Sequence, residues 1–537
     1  MHFLFHSAIL NFIVLKHERE NLLSFTSDVN DSNTQESLFK KSAEGVSGHG
    51  CSYMPRVSQA KGWRNKEMFA QIDKIITAID NAVWGLPLIC LIMATGIFLT
   101  ARLGLVQIRH LGKAFKFMFK DEEDGSGEVT SFGALCTALS ATIGTGNITG
   151  VATAIALGGP GALFWMVIAA FFGMATKYAE GLLAIKYRTI DEDGHVLGGP
   201  FYYIENGMGK KWTWLAKIFA FFGAGVGLFG IGTFTQVNSI ASAVKNFFDP
   251  DMAHTVSLFG GNYSWATVIA GLFLTVCVGL VVLGGIQRIA KVSEVIVPFM
   301  AVLYVGLAVI IIIANITAVP AALASIVKSA FTGSALAGGA VGSMFVAMQK
   351  GVARGIFSNE SGLGSAPIAA AAARTKEPVR QGLVSMTGTF IDTIVICTMT
   401  GLSIVIAGSW LNPELEGVAI TMDAFQKGLP FPSFVATFSL MLCLVFFAFT
   451  TILGWNYYGE RCVEYLFNRN KGVVMGYRIL YILAVFIGPY MTVKAVWNIA
   501  DIFNALMAFP NLIALLALNG VIVKETRDFH AKHNGSY

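Results

Sequence analysis

The sequence predicts an all-α membrane protein that crosses the bilayer many times. Apolar residues make up 54% of the chain and charged residues only 13%, whereas a soluble domain is about one-quarter charged. The apolar residues form long runs rather than the short alternating segments of a transmembrane β-barrel. These two observations favour a polytopic helical fold over both a soluble domain and a barrel.

The N-terminal residues 1–67 differ from the rest of the chain. Residues 17–66 are polar and carry no periodic pattern, which is typical of disorder. Residues 3–15 are apolar but short for a span, and they lack the basic flank and cleavage site of a signal peptide. We interpret 1–67 as a disordered extension, or as the result of a start codon assigned too early, with Met68 opening the functional chain.

About eleven apolar segments of spanning length follow. They lie near 82–101, 131–157, 161–187, 214–245, 263–284, 288–314, 321–356, 381–408, 431–458, 474–493 and 498–523. Residues 68–130 are expected to hold the first span and a cytoplasmic interfacial helix at 113–120. In that helix the aromatic side chains are predicted to face lipid and the lysines to face headgroups.

Loop charges predict the orientation of these segments. If the first segment starts outside, most lysines and arginines fall in inner loops, and the outer loops carry mainly acidic residues. The basic residues left outside are Lys245, Lys328, Lys427 and Lys494. This bias places the N-terminus outside and the tail at 524–537 in the cytoplasm of a cell that holds the protein in its plasma or inner membrane.

Ten segments remain when the first is set aside, and they divide into two groups of five. Residues 131–314 form one group and residues 315–523 form the other, which starts on the opposite side of the membrane. This is the arrangement of transporters built from an inverted repeat, in which corresponding helices of the two halves are broken near mid-membrane.

Two glycine-rich stretches occupy the corresponding places, "IGTGN" at 143–147 and "TGSALAGGAVGS" at 332–343. An unwound helix is tolerated in a membrane only where it is buried or lines a cavity, and glycine lowers its cost. Its free amides suit a carboxylate, and its free carbonyls suit Na⁺ or an ammonium group. The alternative is close helix packing, which we prefer for "FFGAGVGLFGIG" at 221–232.

Ionisable residues inside the apolar segments indicate function. Asp392 falls near mid-membrane and suits a ligand for Na⁺, a carrier of H⁺ or one half of an ion pair. Lys177 and Glu180, at i and i+3, can pair near the cytoplasmic end of their helix. Arg354 and Glu360 fall at the inner end of the seventh segment, where they suit a cytoplasmic gate or an ordinary capped turn.

Other functional classes lack their sequence signatures. The chain has no HExxH, GxSxG or GxxxxGK[ST] motif and no Cys/His cluster, which argues against an intramembrane enzyme, ATP-driven transport and a zinc site. Topology accounts for the basic residues, so nothing favours nucleic-acid binding. A secondary transporter is favoured over a channel or a sensor.

Three long motifs carry a family resemblance. They are "ALSATIGTGNITGVATAIALGGPGALFWM" (138–166), "GVARGIFSNESGLGSAPIAAAAA" (351–373) and "TTILGWNYYGER" (450–461). Together they resemble the alanine or glycine:cation symporter family over roughly residues 68–525. The resemblance implies a LeuT-like five-plus-five fold with one extra N-terminal helix. It also implies uptake of alanine or glycine with Na⁺, or less often H⁺, and no cofactor besides the coupling ion. A non-transporting sensor on the same fold is the alternative.

The resemblance also implies roles for residues of the first break. The amides of Thr145 and Gly146 hold the substrate carboxylate, and the Thr142 carbonyl faces its ammonium group. Asn147 orients the break or binds a cation. Gln236 is aimed at the carboxylate, or else forms a hydrogen bond between helices.

Thr451 and Trp455 share a helix face at i and i+4, and the resemblance places them at the substrate, with the indole closing a pocket for a methyl group. Thr450, Thr451 and the Ile143 carbonyl are implied to form a sodium site, unless the threonines bond back to their own helix. The second break adds three weaker candidates for the substrate, Gly338, Gly339 and Phe345. The sequence leaves the oligomeric state open.

Overall fold

The computed structural model describes residues 83–120, 122, 125–230, 232–258, 261–332, 340–490 and 493–533, and most of them are helical. All of these residues belong to one compact unit. The predicted N-terminal extension lies outside the described residues, and so do Gly338 and Gly339.

The first half of the fold contains eight longer helices. They are α1 (Leu86–Arg102), α2 (Ser131–Thr142), α3 (Val151–Gly158), α4 (Gly161–Lys186), α5 (Thr213–Phe229), α6 (Phe234–Phe248), α7 (Trp265–Val282) and α8 (Gly285–Ala314). Short helical segments lie between them at Val106–Arg109, Leu111–Met118, Gly146–Gly150, Pro200–Tyr202, Tyr203–Gly207, Lys210–Trp212 and Ile316–Ala318.

The second half contains nine longer helices. They are α9 (Val319–Phe331), α10 (Ala340–Asn359), α11 (Pro378–Thr389), α12 (Thr398–Ala407), α13 (Val418–Gly428), α14 (Ser433–Leu466), α15 (Lys471–Ile487), α16 (Val493–Ala517) and α17 (Asn519–His533). Short helical segments lie at Ala366–Ala370, Phe390–Cys397, Ser409–Leu411 and Gly488–Tyr490.

Two small hairpins join helices at the ends of the bundle. In the first, β1 (Thr189–Ile190) pairs antiparallel with β2 (Val196–Leu197), so that Thr189 faces Leu197. In the second, β3 (Thr255–Leu258) pairs antiparallel with β4 (Gly261–Ser264).

Within the described residues, seven helical stretches are long and apolar enough to cross a membrane, and an eighth is added if the bent pair α16–α17 counts as one span. They are Gly161–Lys186, Lys210–Phe248, Trp265–Val282, Gly285–Ala314, Pro378–Ala407, Ser433–Leu466 and Lys471–Tyr490. The outer helices expose large apolar side chains, among them Phe273 and Val302. The chain is therefore a multi-pass helical membrane protein, and the finer count of eleven spans stays a prediction.

Polar caps account for several helix starts. The Thr130 hydroxyl accepts from the amide of Gly133, 2.8 Å away, at the start of α2. Ser264 caps α7 in the same way, and the Asn470 side chain accepts from two amides at the start of α15. Such caps satisfy amides that have no partner in the first turn of a helix.

One of the predicted segments differs from the structure. The fourth, 214–245, is two helices, because the backbone leaves helical geometry between Phe229 and Phe234. The seventh, 321–356, which was predicted to be broken, contains the helices α9 and α10, with 333–339 outside the described residues. The predicted tail at 524–537 continues as helix α17 as far as His533, after a bend of 57° from α16.

The glycines at 221–232 permit close packing, as predicted. The interruption of the helix after Phe229 was not predicted. A Cβ on Gly223 would lie 2.7 Å from the Cys462 sulfur, and one on Gly232 would lie 2.3 Å from the Cβ of Trp455.

The predicted interfacial helix forms at Leu111–Met118, but the prediction that its aromatic side chains face lipid is wrong. Phe117 is buried beneath the guanidinium of Arg380, and Phe115 packs edge-on against Phe390. Phe119, just beyond the helix, is exposed. The apolar stripe of this helix therefore covers the protein rather than the membrane.

The backbone before α2 is tied to the backbone after α10 by Arg188. Its guanidinium donates to the carbonyl oxygens of Ser126, Ala371, Ala373 and Thr375. The same two strands of chain also meet in a parallel bridge at Val129 and Ala373. One arginine thus donates to four backbone carbonyls of two segments that are distant in sequence.

His195, at the end of the first hairpin, forms a second tie at this end of the bundle. Its Nδ1 lies 2.7 Å from Glu128, and its Nε2 lies 2.9 Å from Glu464 of α14. The hydrogen bonds to these two carboxylates raise the pKa of His195 from 6.5 to about 9, although burial and the neighbouring Arg461 lower it. The imidazolium therefore persists at neutral pH and joins the segment before α2 to α14.

We expect Gly351→Ala to destabilise the protein. A Cβ on Gly351 would lie 2.2 Å from the carbonyl oxygen of Ala162, and a backbone atom cannot move aside cheaply, so the cost should be about 1–3 kcal/mol. Gly306→Ala is the matched control, because a Cβ there meets nothing within 4 Å. Melting temperatures of the purified proteins measure the difference. Equal melting temperatures for the two variants would contradict this packing.

We also expect a pH-dependent loss of stability from His195. Its pKa is higher in the folded protein, so its stabilisation is complete below about pH 6.5, declines as the pH rises, and is lost above about pH 9. His195→Gln should melt lower than the wild type at neutral pH and should lack this component of the pH profile. Melting curves recorded across that range test it, and parallel profiles for the two proteins would rule the histidine tie out.

Candidate substrate and cation site

The structure shows the predicted interruption in the first glycine-rich segment. Helix α2 ends at Thr142, Ile143 is extended (φ −76°, ψ 94°), and a π-helical turn at Gly146–Gly150 leads into α3. A Cβ on Gly144 would lie only 2.5 Å from the Thr451 hydroxyl. Glycine is therefore required here for close approach of α14.

A second interruption faces this one at 360–365. Most of the predicted second break, 332–343, falls on 333–339, which lie outside the described residues. Helix α10 ends at Asn359, and Glu360, Gly362 and Gly364 all have positive φ before a helical turn resumes at Ala366–Ala370. A carboxylate-bearing residue at φ +56° is uncommon. The signal in the sequence was "NESGLGS", whose glycines alternate as those of "GTG" do.

Phe345, which we chose together with the predicted second break, lies in the first turns of α10 and is 42% exposed. Close contacts with the first break come instead from the other end of α10. A Cβ on Gly146 would lie 3.3 Å from the Cα of Ser358 and 3.6 Å from the ring of Phe357.

The two interruptions meet at a buried cluster of polar side chains around Asp392. The Asn147 amide donates to the Asp392 carboxylate at 2.7 Å, and the Ser358 hydroxyl donates to its other oxygen at 2.9 Å. Thr393 donates to that second oxygen at 2.7 Å. Asp392 itself lies on a π-helical stretch, Phe390–Cys397, which displaces it from regular helical register.

Asn147 closes the cluster from the side of the first break. Its Oδ1 accepts from the Gly144 amide at 2.9 Å, while its Nδ2 donates to Asp392. Both ends of this side-chain amide are thus used. Ser358 and Thr393 were missed from the sequence, because nothing in a list of polar residues shows which ones reach Asp392.

Thr451 touches the first break directly. Its hydroxyl lies 3.2 Å from the Ile143 carbonyl and 2.9 Å from the Phe447 carbonyl of its own helix. Thr450 bonds back to the Phe446 and Phe447 carbonyls at 3.1 and 3.0 Å. The structure thus brings Ile143 and Thr451 together as expected, while both threonines also make the local bonds that we gave as the alternative.

Gln236 of α6 also reaches the first break. Its Oε1 accepts from the Thr145 amide at 3.3 Å, and the side chain is buried. The Thr145 hydroxyl is buried too and has no hydrogen-bond partner among the described residues. The Thr142 hydroxyl bonds to the carbonyl of Ala138 in its own helix at 3.2 Å.

Trp455 is enclosed by protein, and its indole is directed at the second break. Its Nε1 donates to Glu360 at 3.0 Å, and the Ser365 hydroxyl donates to the other Glu360 oxygen. These two bonds hold a buried carboxylate at the left-handed residue of the break. Glu360 is therefore a buried, hydrogen-bonded part of the second break.

The four residues predicted as a gate occupy two places. Glu180 accepts from the amides of Gly362 and Gly364 at 3.1 and 3.2 Å, so it holds the second break, and Lys177 lies near it. Arg354 instead pairs with Asp501 at 3.7 Å. It lines an open cleft, together with residues of α3, α6 and the loop before α13. Arg354 therefore lies beside this cleft, whereas Glu360 lies in the second break just beyond the end of α10, and the shared gate stays a prediction.

Comparison with known proteins gives the family. The family model described as "Sodium:alanine symporter family" matches residues 69–536. An uncharacterized transporter of Haemophilus influenzae is 55% identical over 459 residues, which are 85% of this chain and 96% of that protein. A sodium/alanine symporter of Methanococcus maripaludis is 48% identical over 466 residues, 85% of this chain and 97% of that protein.

Two further similarities are more distant. A probable sodium/glutamine symporter of Bacillus subtilis is 39% identical over 460 residues, 85% of this chain and 91% of that protein. Among solved structures, MhsT in complex with L-phenylalanine matches with a TM-score of 0.49 and 12% identity, covering 75% of this chain and 99% of that one. The family match and the relatives of high identity are decisive: the chain belongs to the sodium:alanine symporter family, a family of transporters.

Proposed function

We propose that this protein is a secondary active symporter that imports alanine, glycine or both, coupled to Na⁺. The observation that supports this most is the meeting of two interrupted helices at a buried, oxygen-rich cluster around Asp392. A relative of 48% identity is named as a sodium/alanine symporter. Another of 39% identity is named for glutamine, so the amino acid needs a direct test.

The Asp392 cluster suits one coupling cation. A buried carboxylate supplies negative charge, and the Ser358 and Thr393 hydroxyls supply neutral oxygens, the ligand type that hard cations prefer. The two hydroxyls now donate to Asp392. If they turn their protons away, their lone pairs face the same space, so the cluster can exchange internal hydrogen bonds for a bound ion.

A second cation position is the junction between α14 and the first break. The Thr451 hydroxyl and the Ile143 carbonyl are 3.2 Å apart there, and Thr450 follows on the same helix. Each hydroxyl uses its proton on a carbonyl and keeps lone pairs for a ligand. The back-bonds of the two threonines are therefore compatible with cation binding.

The amino acid is proposed to bind between the Thr145 and Gly146 amides and the second break. Gln236 now offers its amide oxygen to the Thr145 amide, which is the place a substrate carboxylate oxygen would take. The Thr142 carbonyl ends α2 and suits the ammonium group. Phe357 and Ser358 leave little room above Gly146, which favours a small side chain, although glycine and alanine differ by only about 1–3 kcal/mol in such a pocket.

The finer architecture is part of the same proposal. Residues 131–314 and 315–523 are two inverted repeats of a LeuT-like fold that moves by alternating access, with eleven spans, the N-terminus outside and the C-terminus in the cytoplasm. The open cleft beside Arg354 also includes the loop before α13. We assign this end to the outside because the charge pattern places that loop outside, although the same pattern counted Arg354 among the inner residues. The Arg188 and His195 ties close the other end.

H⁺ is the alternative coupling ion, because a buried carboxylate such as Asp392 can carry a proton as well as bind Na⁺. Uptake of labelled alanine into proteoliposomes decides between them, with an inward Na⁺ gradient and, separately, an inward H⁺ gradient. We expect accumulation only with Na⁺. Accumulation with H⁺ alone would move the coupling role to proton transfer at Asp392. If neither alanine nor glycine is taken up under either gradient, the protein either transports a different substrate or is a sensor that does not transport.

We expect Asp392→Asn to raise the Na⁺ concentration for half-maximal alanine uptake at least about tenfold, because the charge of a buried ligand is lost while its shape is kept. Asp423→Asn is the control for the same chemical change. Asp423 is partly exposed and pairs with Lys427 one turn further along α13, and its variant should stay near the wild type. If the two variants have the same Na⁺ dependence, Asp392 does not bind the coupling ion.

A further inference from the structure

Lys177 of α4 is a buried lysine whose ammonium group is not used by the hydrogen bonds described above. The side chain is only 2% exposed. Its Nζ donates no hydrogen bond to any residue that the structure describes. A fully buried ammonium without a partner is costly, so its position needs a functional or electrostatic reason.

The surroundings of Lys177 are strongly negative. Three buried carboxylates interact with it electrostatically, Glu180 on its own helix, Glu360 in the second break and Asp392 in the π-helical stretch. Lys177 is the cation that all three of these acids share.

A small cavity beside Lys177 connects it to both broken helices. The cavity measures about 20 Å³, room for one water molecule. Besides Lys177, its polar lining comes from Thr142, Asn359, Gln381 and Ser385. Thr142 ends α2 and Asn359 ends α10, so two helix C-termini, which favour positive charge, are close to the ammonium group.

We infer that Lys177 is a permanent cation of the coupling site and acts as a positioning residue. Its ammonium group supplies one positive charge to the same carboxylates that the transported cations neutralise. This inference rests on the proposed Na⁺-coupled uptake. Three buried acids need compensation when the site closes over its ligands. Lys177 supplies part of this positive charge whether or not an ion is bound. Because its ammonium group makes no hydrogen bond to a described residue, the flexible side chain can approach whichever acid is not neutralised by a bound ion.

The test is uptake of labelled alanine by full-length protein in proteoliposomes under an inward Na⁺ gradient. Three variants are compared with the wild type: Lys177→Gln, Lys177→Arg and the double variant K177Q/E180Q. The double variant removes one charge of each sign. Glu180→Gln is a fair replacement, because Oε1 of Glu180 makes the bonds to Gly362, Gly364 and Asn511, while Oε2 has no partner among the described residues.

We expect Lys177→Gln to lower uptake at least about tenfold, whereas K177Q/E180Q recovers to within about threefold of the wild type, as does Lys177→Arg. Lowering the pH should restore part of the uptake of Lys177→Gln, because protonating one of the three carboxylates replaces the lost charge. The double variant should not gain in this way. A purely structural lysine would show neither recovery by charge balance nor recovery by acid.

Two results would overturn the inference while leaving the proposed function intact. One is uptake by Lys177→Gln within about threefold of the wild type; the other is a double variant no better than Lys177→Gln, with no gain at low pH. If Lys177→Gln is too unstable to purify, the double variant decides: uptake near the wild type supports the charge role and its loss refutes it. Absence of Na⁺-driven uptake in the wild type would overturn the proposed function and this inference together.

Discussion

The hydrogen bond from Asn147 to Asp392 joins the two halves of the chain where both leave regular helical geometry. This bond joins a buried amide to a buried carboxylate over 2.7 Å. Asn147 also accepts a hydrogen bond from the Gly144 amide, which fixes the turn of the first break. A polar pair of this kind is stable in an apolar interior only if its remaining hydrogen-bond donors and acceptors also have partners. Ser358 and Thr393 satisfy them, so the registers of three helices depend on one contact.

Close approach of the backbones makes that contact possible. Gly144 leaves room for Thr451, and Gly146 leaves room for Ser358. The π-helical stretches at Gly146–Gly150 and Phe390–Cys397 then turn Asn147 and Asp392 toward each other. Such stretches give up ideal helix geometry, and the side-chain bonds of the cluster offset that cost. The irregular backbone therefore positions the polar cluster, and the hydrogen bonds of the cluster stabilise the irregular backbone.

The sequence predicted the fold class, the first break and most residues around it, because apolar run length and a glycine cluster are local signals. It did not predict the interruption at 360–365, since "TGSALAGGAVGS" is richer in glycine than "NESGLGS", and composition cannot show which residues take a positive φ. Ser358 and the Arg188 tie could not be predicted at all. Their partners are distant in sequence, and only the packed structure brings them together.

The two ends of the site are held with unequal strength. At one end, Arg188 bonds to four carbonyl oxygens and His195 bridges two carboxylates, so opening would expose several buried polar groups at once. At the other, Arg354 and Asp501 face each other at 3.7 Å beside an open cleft. A single long ion pair contributes little. The proposed alternation between the two ends would therefore require a large, ligand-dependent gain of free energy on the tied side. The acid-rich centre that links Glu180 to the second break lies where it could supply that gain.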